Sequence, residues 1–344
     1  MSNPDIDIVP IEATDETLVR SWIEMQIAAR RHDLPGSDMP LPGLQRLRLL
    51  LYPESVEVER WAARRGETVL GAVELAMPLQ DNQHLVELEI DVHPEHRRQG
   101  VGTRLIEFAE RRTADNGRDT LLTAVVDSLE GAPRFDHSGR HFAKARGYAE
   151  VDNEIHRRND LTLVHEDELS RLYADAWNFA TGYELVQWVS TAPEAIIDGL
   201  ARLYERMYTD PPMGEELDIR PAEWDTARIR DTERTLIERA QLQLGSAVRH
   251  TATGEVAGFT TIMVNPGDET HAWQDDTIVE SAHRGKRLGT ILKIANQRLL
   301  REYRPKLRYV HTWNAETNGP MIAINEAIGY RPLCRDIGVQ KKLL

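Results

Sequence analysis

The residues that most clearly indicate chemistry are one arginine and two glycines, spaced as Arg97-x-x-Gly100-x-Gly102. They follow a strand-like apolar run and precede an amphipathic helix. In such a loop, successive backbone N–H groups point into one concavity at the positive end of the helix dipole. The glycines leave room for a bulky anion, and Arg97 and Arg98 add positive charge. The spacing therefore predicts a site for a pyrophosphate group.

Two common nucleotide-binding motifs are excluded at this loop. A dinucleotide fingerprint requires a third glycine, and Leu105 stands at that position. A P-loop requires a Gly-Lys-Ser/Thr ending, which the loop lacks. The anion site is therefore of another type.

The loop occurs twice in the chain. Adding 187 to the residue number takes Arg97 to Arg284 and Val92, in the preceding strand, to Val279. Agreement over a long stretch indicates two copies of one fold, each built around a strand, a glycine-bearing loop and a helix.

Hydrophobic periodicity predicts alternating strands and helices in both copies. In copy one we predict a strand at 6–11, helices at 15–31 and 45–51, a hairpin at 61–75, a strand at 86–92, a helix at 105–112 and a strand at 121–126. In copy two we predict a strand at 183–189, helices at 191–208 and 223–244 and a hairpin at 247–260.

The length of 344 residues agrees with two domains, since a domain usually has ~100–200 residues. We predict an α/β protein with a first domain at 1–164, a connecting helix at 165–182 and a second domain at 183–344.

Composition and charge limit the function further. The net charge of −14 opposes binding to nucleic acid or to anionic membranes. The excess of acidic residues either attracts a cationic substrate or only keeps the protein soluble. The sequence has neither a secretion signal nor an apolar run near ~18 residues. The single cysteine, Cys334, excludes an internal disulfide and a thiol-based metal cluster. We therefore expect a cytoplasmic protein.

The order of strand, R-x-x-G-x-G loop, helix, strand and an asparagine-led helix ending in Gly-Tyr resembles the GCN5-related N-acetyltransferases (GNAT family). The doubling resembles the tandem members of that family, the group that includes mycothiol synthase. The resemblance implies a mixed, mostly antiparallel sheet flanked by helices in each copy, with the loop holding the pyrophosphate of acetyl-CoA. It also implies that the strand before the loop splays from its neighbour, so that the pantetheine arm lies between them. The implied acetyl-CoA contacts are Val92, Arg97, Arg98, Gln99, Gly100, Val101, Gly102 and Thr103 in copy one, and Val279, Arg284, Arg287, Leu288, Gly289 and Thr290 in copy two.

Both copies depart from the family pattern. Arg287 replaces the first glycine in copy two, and at positive φ it would cost about 1 kcal/mol or more. We therefore expect weaker acetyl-CoA binding there, or none, unless the guanidinium reaches a phosphate oxygen. The family places a tyrosine, the acid for the CoA thiolate, seven residues after an asparagine. That position after Asn318 holds Asn325, and Ala143 is its counterpart in copy one.

Three carboxylates alternate along the strand before the first loop. Glu87, Glu89 and Asp91 share one face, although a central strand covered on both sides should be apolar on both. This face is therefore expected to border a wet cleft. Because acetyl transfer needs a neutral amine, we predict Glu87 or Glu89 as the base and Asp91 as an attractant for the ammonium. The alternative is a solvated face without a role.

Candidates elsewhere carry weaker signals. In copy two, Asp275 and Asp276 are the corresponding candidate carboxylates. They are a weaker case because both can belong to the loop before the strand. Asn314 and Asn318 are predicted to contact the substrate, with a turn role as the alternative for Asn314. The pair formed by His137 and His141 can share a helix face but lacks a third ligand, so no metal site is predicted.

Together these features predict an enzyme that transfers acetyl directly from acetyl-CoA to a primary amine of a small molecule. Candidate amines are an antibiotic or aminoglycoside, a precursor of a thiol metabolite and a polyamine. Copy two is either a second site or a degenerate partner that completes the substrate pocket. The alternative is a non-catalytic acyl-CoA-binding module. Either protein would be a monomer or a homodimer.

Overall fold

The computed structural model describes residues 6–35 and 52–343 of the chain. The predicted helix at 45–51 lies outside these residues. Copy one consists of β1 (Asp7–Pro10), α1 (Glu16–Asp33), β2 (Val56–Arg65), β3 (Thr68–Pro78), β4 (Leu85–Val92), α2 (Val101–Asp115), β5 (Thr120–Asp127), α3 (Ser138–Ala145) and β6 (Ala149–Asp160).

Copy two follows a connecting helix and repeats the strand order of copy one. The elements are the connecting helix α4 (Glu166–Trp177), then β7 (Tyr183–Val189), α5 (Glu194–Arg206), α6 (Thr226–Glu238), β8 (Leu242–His250), β9 (Val256–Val264), β10 (His271–Val279), α7 (Leu288–Tyr303), β11 (Tyr309–Ala315), α8 (Gly319–Ala327) and β12 (Tyr330–Lys342).

The chain divides into two compact units that are not contiguous in sequence. Unit 1 contains the described residues up to Glu154, together with Gly214–Ile219 and the chain from Cys334. Unit 2 contains Ile155–Met213 and Arg220–Leu333. The predicted boundaries, at 164 and 183, follow the sequence repeat. The boundaries of the two units differ from the predicted boundaries because two strands are divided between the units. Strand β6 begins in unit 1 and ends in unit 2, whereas β12 begins in unit 2 and ends in unit 1.

The sheet of unit 1 has the strand order β1-β2-β3-β4-β5-β12. All neighbouring strands are antiparallel except β4 and β5, which are parallel. Trp22 of α1 packs with Ala62 and Ala72 on one face, and Leu105 of α2 packs with Leu88 on the other. The predicted mixed, mostly antiparallel sheet flanked by helices is therefore confirmed for unit 1.

The sheet of unit 2 repeats this arrangement with the order β7-β8-β9-β10-β11-β6. Only β10 and β11 form a parallel pair among β7–β11. Ile294 of α7 packs with Ile262 on one face, and Ile196 of α5 packs with Phe259 on the other.

The repeat extends to strand register and to close backbone contacts. Gly71 pairs with Val92 in unit 1, and Gly258 pairs with Val279 in unit 2. A Cβ atom on Gly71 would lie 2.7 Å from the backbone oxygen of Asp91. At Gly258 the corresponding distance, to the next strand's backbone oxygen, is 2.6 Å. Glycine is required at both positions because the neighbouring strand approaches too closely for any side chain.

One predicted helix was wrong in its extent. The helix predicted at 223–244 ends at Glu238 in α6, and strand β8 begins at Leu242. Ala240, at φ 55°, turns the chain out of the helix, and the residues that follow pair with β9. The hairpin predicted at 247–260 is formed by β8 and β9. Within the described ranges, none of the helices is long and apolar enough to cross a membrane.

Candidate active site

In unit 1, two parallel strands separate next to the glycine loop. The rungs between β4 and β5 are Leu85↔Thr120, Val86↔Leu121 and Glu87↔Leu122. Beyond Glu87, β4 stays paired with β3 as far as Val92, but the described residues form no further rung with β5. The strands therefore leave a wedge-shaped opening that ends at the loop, as the family resemblance implied.

Unit 2 has the same opening between β10 and β11. Their parallel rungs end at Trp273↔His311, while β10 continues to Val279 in its pairing with β9. Unlike β4, β10 contains a register shift between Gln274 and Thr277. Copy two therefore combines the opening with a β-bulge at its edge.

The loop of unit 1 holds two residues in the left-handed conformation. Arg98 has φ 60° and Gly100 has φ 85°, with Gly100 as the residue before the first turn of α2. In the described structure no side chain caps that turn, so its N–H groups remain available to a ligand. A left-handed residue beside a helix start makes an anion-binding concavity. The geometry therefore agrees with the predicted pyrophosphate site.

The loop of unit 2 exchanges the residue types at these two positions. Gly285 has φ 78° and Arg287 has φ 54°. Each loop therefore contains one glycine and one arginine in left-handed conformation, in opposite order. Arg287 therefore has the positive φ at which a non-glycine residue costs about 1 kcal/mol or more. The same strain at Arg98 was not predicted.

The motif arginines tie the loops to the preceding strands. Arg97 Nε donates to the carbonyl oxygen of Val92 at 3.1 Å, and Arg284 Nε donates to that of Val279 at 3.2 Å. Arg284 also donates to Asp210 at 2.8 Å. Both arginines thus fix the path of the loop.

Carboxylates surround the Arg97 guanidinium. It donates to Asp33 at 2.6 and 2.7 Å and to Asp136 at 2.8 Å. Desolvation alone would lower the pKa of Arg97, but the hydrogen bonds and charge of Asp33, with Asp136, raise it overall. The Arg97 guanidinium therefore has carboxylate partners from the end of α1 and from the segment before α3.

The other predicted cofactor residues of copy one line the loop and the first turn of α2. Arg98 and Gln99 are exposed, and Val101 is buried in the core. A Cβ atom on Gly102 would be 3.5 Å from the side chains of Phe142 and Val92, so the first turn has space for little more than a methyl group.

A further cation reaches this turn and was missed by sequence reasoning. The guanidinium of Arg146, just after α3, donates to the hydroxyl of Thr103. It lies 5.6 Å from the centre of the Phe142 ring. Nothing in the local sequence marks Arg146, because only the packing of α3 beside α2 brings it to the loop.

The matching turn in unit 2 is more crowded. Leu288, Gly289 and Thr290 are buried, and a Cβ atom on Gly289 would be 3.0 Å from Ile324. The Arg287 side chain pairs with Asp175 and lies 4.0 Å over the Phe179 ring. The guanidinium therefore contacts α4 and the turn after it.

The carboxylate face of β4 is as predicted. Val86 and Leu88 pack against α2 in the core, whereas Glu87 and Glu89 are exposed on the opposite face. Asp91 is half-buried and accepts a hydrogen bond from Gln26 of α1 at 3.2 Å.

Glu87 has an altered acidity. Water reaches its side chain, yet the surrounding protein displaces much of its hydration, and this desolvation raises its pKa. A carboxylate with a raised pKa at the edge of the opening is suited to accept a proton.

The acidic pair of copy two lies within β10, at the bulge. Desolvation raises the pKa of Asp275, and desolvation together with the charge of Asp275 raises that of Asp276 well above its usual value. Both charges also raise the pKa of Tyr204 on α5, after the larger effect of desolvation. Since β10 spans His271–Val279, the alternative that these aspartates belong to the preceding loop is excluded.

The three asparagines of copy two have protein partners. Asn325 donates to Asn314 at 2.5 Å and is fully buried. Asn318 accepts from the backbone N–H of Met321 and caps α8. Ala143, the counterpart of Asn325, is in the core of unit 1. Neither position can readily supply a proton.

Two groups of metal-ligating side chains occur in the described residues. The first, His32, Asp33 and Asp136, surrounds the Arg97 guanidinium. The second, Glu255, Glu280 and His283, has Arg202 within 3.5 Å of both of its carboxylates. His137 pairs with Asp127 at 2.6 Å. In both groups an arginine, Arg97 or Arg202, already balances the negative charge of the carboxylates.

Comparisons with known proteins agree with this geometry. Residues 23–148 match the family model "Acetyltransferase (GNAT) family". No curated protein matches the sequence.

Solved structures match nearly the whole chain. A tandem GNAT protein from the clavulanic acid biosynthesis pathway is 29% identical, with a TM-score of 0.81 and coverage of 98% of each chain. A GCN5-related N-acetyltransferase from Sphaerobacter thermophilus is 14% identical, with a TM-score of 0.66 over 99% of this chain and 97% of the other. A fungal GCN5-related glucosamine N-acetyltransferase region is 13% identical, with a TM-score of 0.65 over 97% of this chain and 38% of its multi-domain protein.

Proposed function

Because this chain carries a GNAT family domain and has the tandem GNAT fold, we propose that it transfers acetyl from acetyl-CoA directly to a primary amine of a small molecule. The observation that carries the proposal is the opening between β4 and β5, which ends at a loop with uncapped N–H groups. The opening suits an extended arm, and the loop suits a diphosphate.

Unit 1 is the proposed main cofactor site. The N–H groups from Arg98 to Thr103 bind the diphosphate, and Gly100 and Gly102 leave space for it. Arg146 and the exposed Arg98 supply positive charge. Arg97 contributes by holding the loop against Val92.

The acidic face of β4 is the proposed acceptor side. Asp91 and the net charge of −14 attract an ammonium group. Glu87 or Glu89 then accepts the proton, so that the neutral nitrogen can attack the thioester carbon. A C–N bond forms, the C–S bond breaks, and the second proton lost by nitrogen passes through water to the departing thiolate, since Ala143 occupies the usual acid position.

Unit 2 is proposed as the weaker acetyl-CoA site. Arg287 occupies a glycine position, and Gly289 has less space than Gly102. The expected cofactor contacts there are Val279, Arg284 and the residues 287–290. Asn314 and Asn318 remain proposed substrate contacts, and each would have to exchange or share its present hydrogen bond.

A small-molecule acceptor is favoured by one relative. The 29% identical tandem GNAT protein belongs to the clavulanic acid biosynthesis pathway. We further propose that the protein acts in the cytoplasm, as a monomer or homodimer with no nucleic-acid or membrane partner, because its net charge of −14 opposes both kinds of partner. The absence of a tyrosine at Ala143 and Asn325 favours a second candidate function, a non-catalytic acyl-CoA-binding module.

A thiol-release assay separates the two functions. The full chain is incubated with acetyl-CoA and a panel of polyamines, aminoglycosides and amino-acid-like amines, and acetyl-CoA binding is measured by calorimetry. Release of CoA with at least one amine supports the transferase. Tight binding without release for every amine would instead support the binding module.

A further inference from the structure

A second group of carboxylates lies on the sheet face of unit 1 that carries the acidic residues of β4. A Cβ atom on Gly338 of β12 would be 3.0 Å from the Cβ atom of Asp152 on the adjacent strand β6, so these two residues are neighbours on one face. Gly338 alternates with Ile337 and Val339, which pack in the core beside α2. Asp152 therefore points away from α2, to the side on which β4 carries its carboxylates.

Two more carboxylates belong to this group. Glu154 is two residues after Asp152, and Asp336 is two residues before Gly338, so both are on the same face. Desolvation, followed by the charges of Asp152 and Asp336, raises the pKa of Glu154 to about 7. Asp152, Glu154 and Asp336 are here called the distal carboxylates. In the described part of the chain, the Glu154 side chain is half-buried and has no hydrogen bond and no cationic partner.

An uncharged floor separates the distal carboxylates from those of β4. The strand order is β4-β5-β12-β6, and Ala124 of β5 pairs with Gly338 of β12. On this face β5 carries Leu122, Ala124 and Val126, which are half-buried or exposed. Because neighbouring strands are ~4.8 Å apart, two or three strand spacings place the two acidic groups about 10–14 Å apart. The two groups and the floor between them are here called the acidic strip.

Two cations of this face already have other partners. Arg60 of β2 is two strands from Glu89, in the same row of cross-strand pairs, and its Nε lies 2.6 Å from Glu74. The ammonium of Lys342 on β12 lies 2.7 Å from Asp218. The acidic strip therefore keeps an excess of negative charge, which attracts a cation.

A buried carbonyl oxygen beside the strip lacks a hydrogen-bond donor. Gln26 of α1 is 7% exposed, and its Nε2 donates to Asp91 of β4 at 3.2 Å. Its Oε1 is buried and accepts no hydrogen bond within the described residues. Asp91 is on the same face as Glu87 and Glu89, so this oxygen is next to the β4 end of the strip. A ligand with N–H groups would satisfy it.

We propose that the acceptor of unit 1 is an extended di- or polyamine, with its reacting nitrogen beside Glu87 and Glu89 and a second ammonium at the distal carboxylates. One ammonium cannot contact both acidic groups at their separation, whereas two on one molecule can. This rests on the proposed function, because it assumes acetyl-CoA as the donor. The reacting nitrogen loses two protons and forms the C–N bond as the C–S bond breaks, one proton going to the base and one through water to the thiolate. The second ammonium keeps its proton and anchors the acceptor.

The test compares amines that differ in the second charge. Diaminooctane, with an amine at each end, and octylamine have the same carbon chain, whereas diaminopropane is too short to reach the distal carboxylates. Thiol release by the full chain gives kcat and KM for each amine. The variants are Glu154→Gln and Asp336→Asn, and the matched control is Glu67→Gln, in the exposed turn between β2 and β3.

We expect the parent to prefer diaminooctane to octylamine by about tenfold or more in kcat/KM, as for hydrogen bonds to charged groups. Diaminopropane should show no such preference over propylamine. Each variant should lose most of the preference through a higher KM for diaminooctane, and the control should keep it. Glu154→Gln removes a carboxylate that its neighbours repel, so its unfolding temperature should not fall.

Calorimetry gives a second readout. Near pH 7 the Glu154 carboxyl is partly protonated, and an ammonium that pairs with it displaces the proton. The binding heat of diaminooctane should therefore change with the ionisation heat of the buffer, and Glu154→Gln should abolish this dependence.

Equal kcat/KM for diaminooctane and octylamine in the parent would overturn this acceptor class and leave the acetyltransferase standing. The same conclusion follows if Glu154→Gln and Asp336→Asn both keep the full preference. A parent that acetylates no amine would overturn the proposed function and, with it, the acceptor.

Discussion

Arg97 donates from Nε to the carbonyl oxygen of Val92 at 3.1 Å, so that the glycine loop is tied to the last residue of the strand before it. The same guanidinium reaches Asp33 at the end of α1 and Asp136 before α3. One side chain therefore links the loop to the strand, to a helix end and to a helix start. We infer that this arginine affects anion binding through the position of the loop.

This role gives a first prediction for Arg97→Lys. Lysine keeps the charge but cannot contact Val92 and both carboxylates in the same fixed geometry. We expect unit 1 to lose about 1.5–3 kcal/mol of unfolding free energy, the usual value for hydrogen bonds to charged groups, and to bind acetyl-CoA more weakly. Urea unfolding and calorimetry measure both effects.

The matched control is Arg284→Lys in unit 2. Its guanidinium is more exposed than that of Arg97 and contacts only one carboxylate among the hydrogen bonds described above. Its loss of stability should be smaller. Equal losses for the two variants would contradict the special role of Arg97.

The second prediction concerns Gly102→Leu. A leucine side chain has to occupy the space between Phe142 and Val92 and extends into the loop concavity. We expect acetyl-CoA binding to unit 1 to fall by at least about tenfold, which is 1.4 kcal/mol. Calorimetry on the full chain measures this loss, with Gly289→Leu in unit 2 as the comparison. Unchanged affinity in the Gly102 variant would refute the assignment of the loop.

The third prediction tests whether Arg287 limits binding to unit 2. In a Gly102→Leu background, acetyl-CoA binding reports mainly on unit 2. Arg287→Gly removes a side chain from the loop and about 1 kcal/mol of left-handed backbone cost. Affinity should rise by a few-fold in calorimetry. A structure of the parent with CoA in unit 2 alone would reverse the proposed order of the two sites.

The fourth prediction concerns the base. Glu87→Gln or Glu89→Gln should lower turnover by roughly 10²–10⁴-fold with amines used by unit 1, at nearly unchanged acetyl-CoA affinity. Because desolvation raises the pKa of Glu87, its carboxylate forms only at a pH above the usual range for glutamate. The value of kcat/KM should therefore rise with pH as the Glu87 carboxylate forms, at pH values above the usual range for glutamate. Glu87→Gln should flatten this rise.

A control for the base is Glu67→Gln, in the exposed turn between β2 and β3. It alters net charge by the same amount and lies outside the acidic face of β4. If Glu87→Gln and Glu89→Gln both turn over acetyl-CoA as fast as the parent and the control do, the base is elsewhere.

The fifth prediction concerns a buried lysine in α7. Lys293 is 1% exposed, and desolvation lowers its pKa to about 7 from 10.5. Between these values the unfolded chain binds the proton more strongly, so stability rises with pH from about 7 to 10.5. Lys293→Met should therefore stabilise unit 2 most below about pH 7, by roughly 1.4 kcal/mol per unit of pKa difference. Urea unfolding at pH 6 and pH 10 tests this. An equal gain at both values would show that lost packing or shape, and not charge, decides the effect.

The sequence predicted the parts of the site that depend on local spacing. The two loops, the alternation of Glu87 and Glu89 with apolar residues, and the strain at Arg287 follow from neighbouring positions. The strain at Arg98 had a usable signal, since its counterpart 187 positions later is Gly285. A comparison of the copies residue by residue would have identified both left-handed positions.

Other features depend on contacts between distant segments. Glu154 and Asp336 are in different copies of the repeat, and only the position of β6 beside β12 brings them together. Arg146 reaches Thr103 through the packing of helices. Periodicity reports which face a residue occupies, but it carries no information about which strand lies next to it.

The pairing of β12 with β5 has a consequence for the order of folding. Asp127 pairs with Arg335, so the strands that complete the sheet of unit 1 are about 200 residues apart in the chain. During synthesis the edge of β5 that pairs with β12 stays unpaired, either exposed or protected by a chaperone, until copy two has been translated. Unit 1 starts first on the ribosome and is completed last, so a nascent chain that stalls within copy two is exposed to aggregation through an unfinished first sheet.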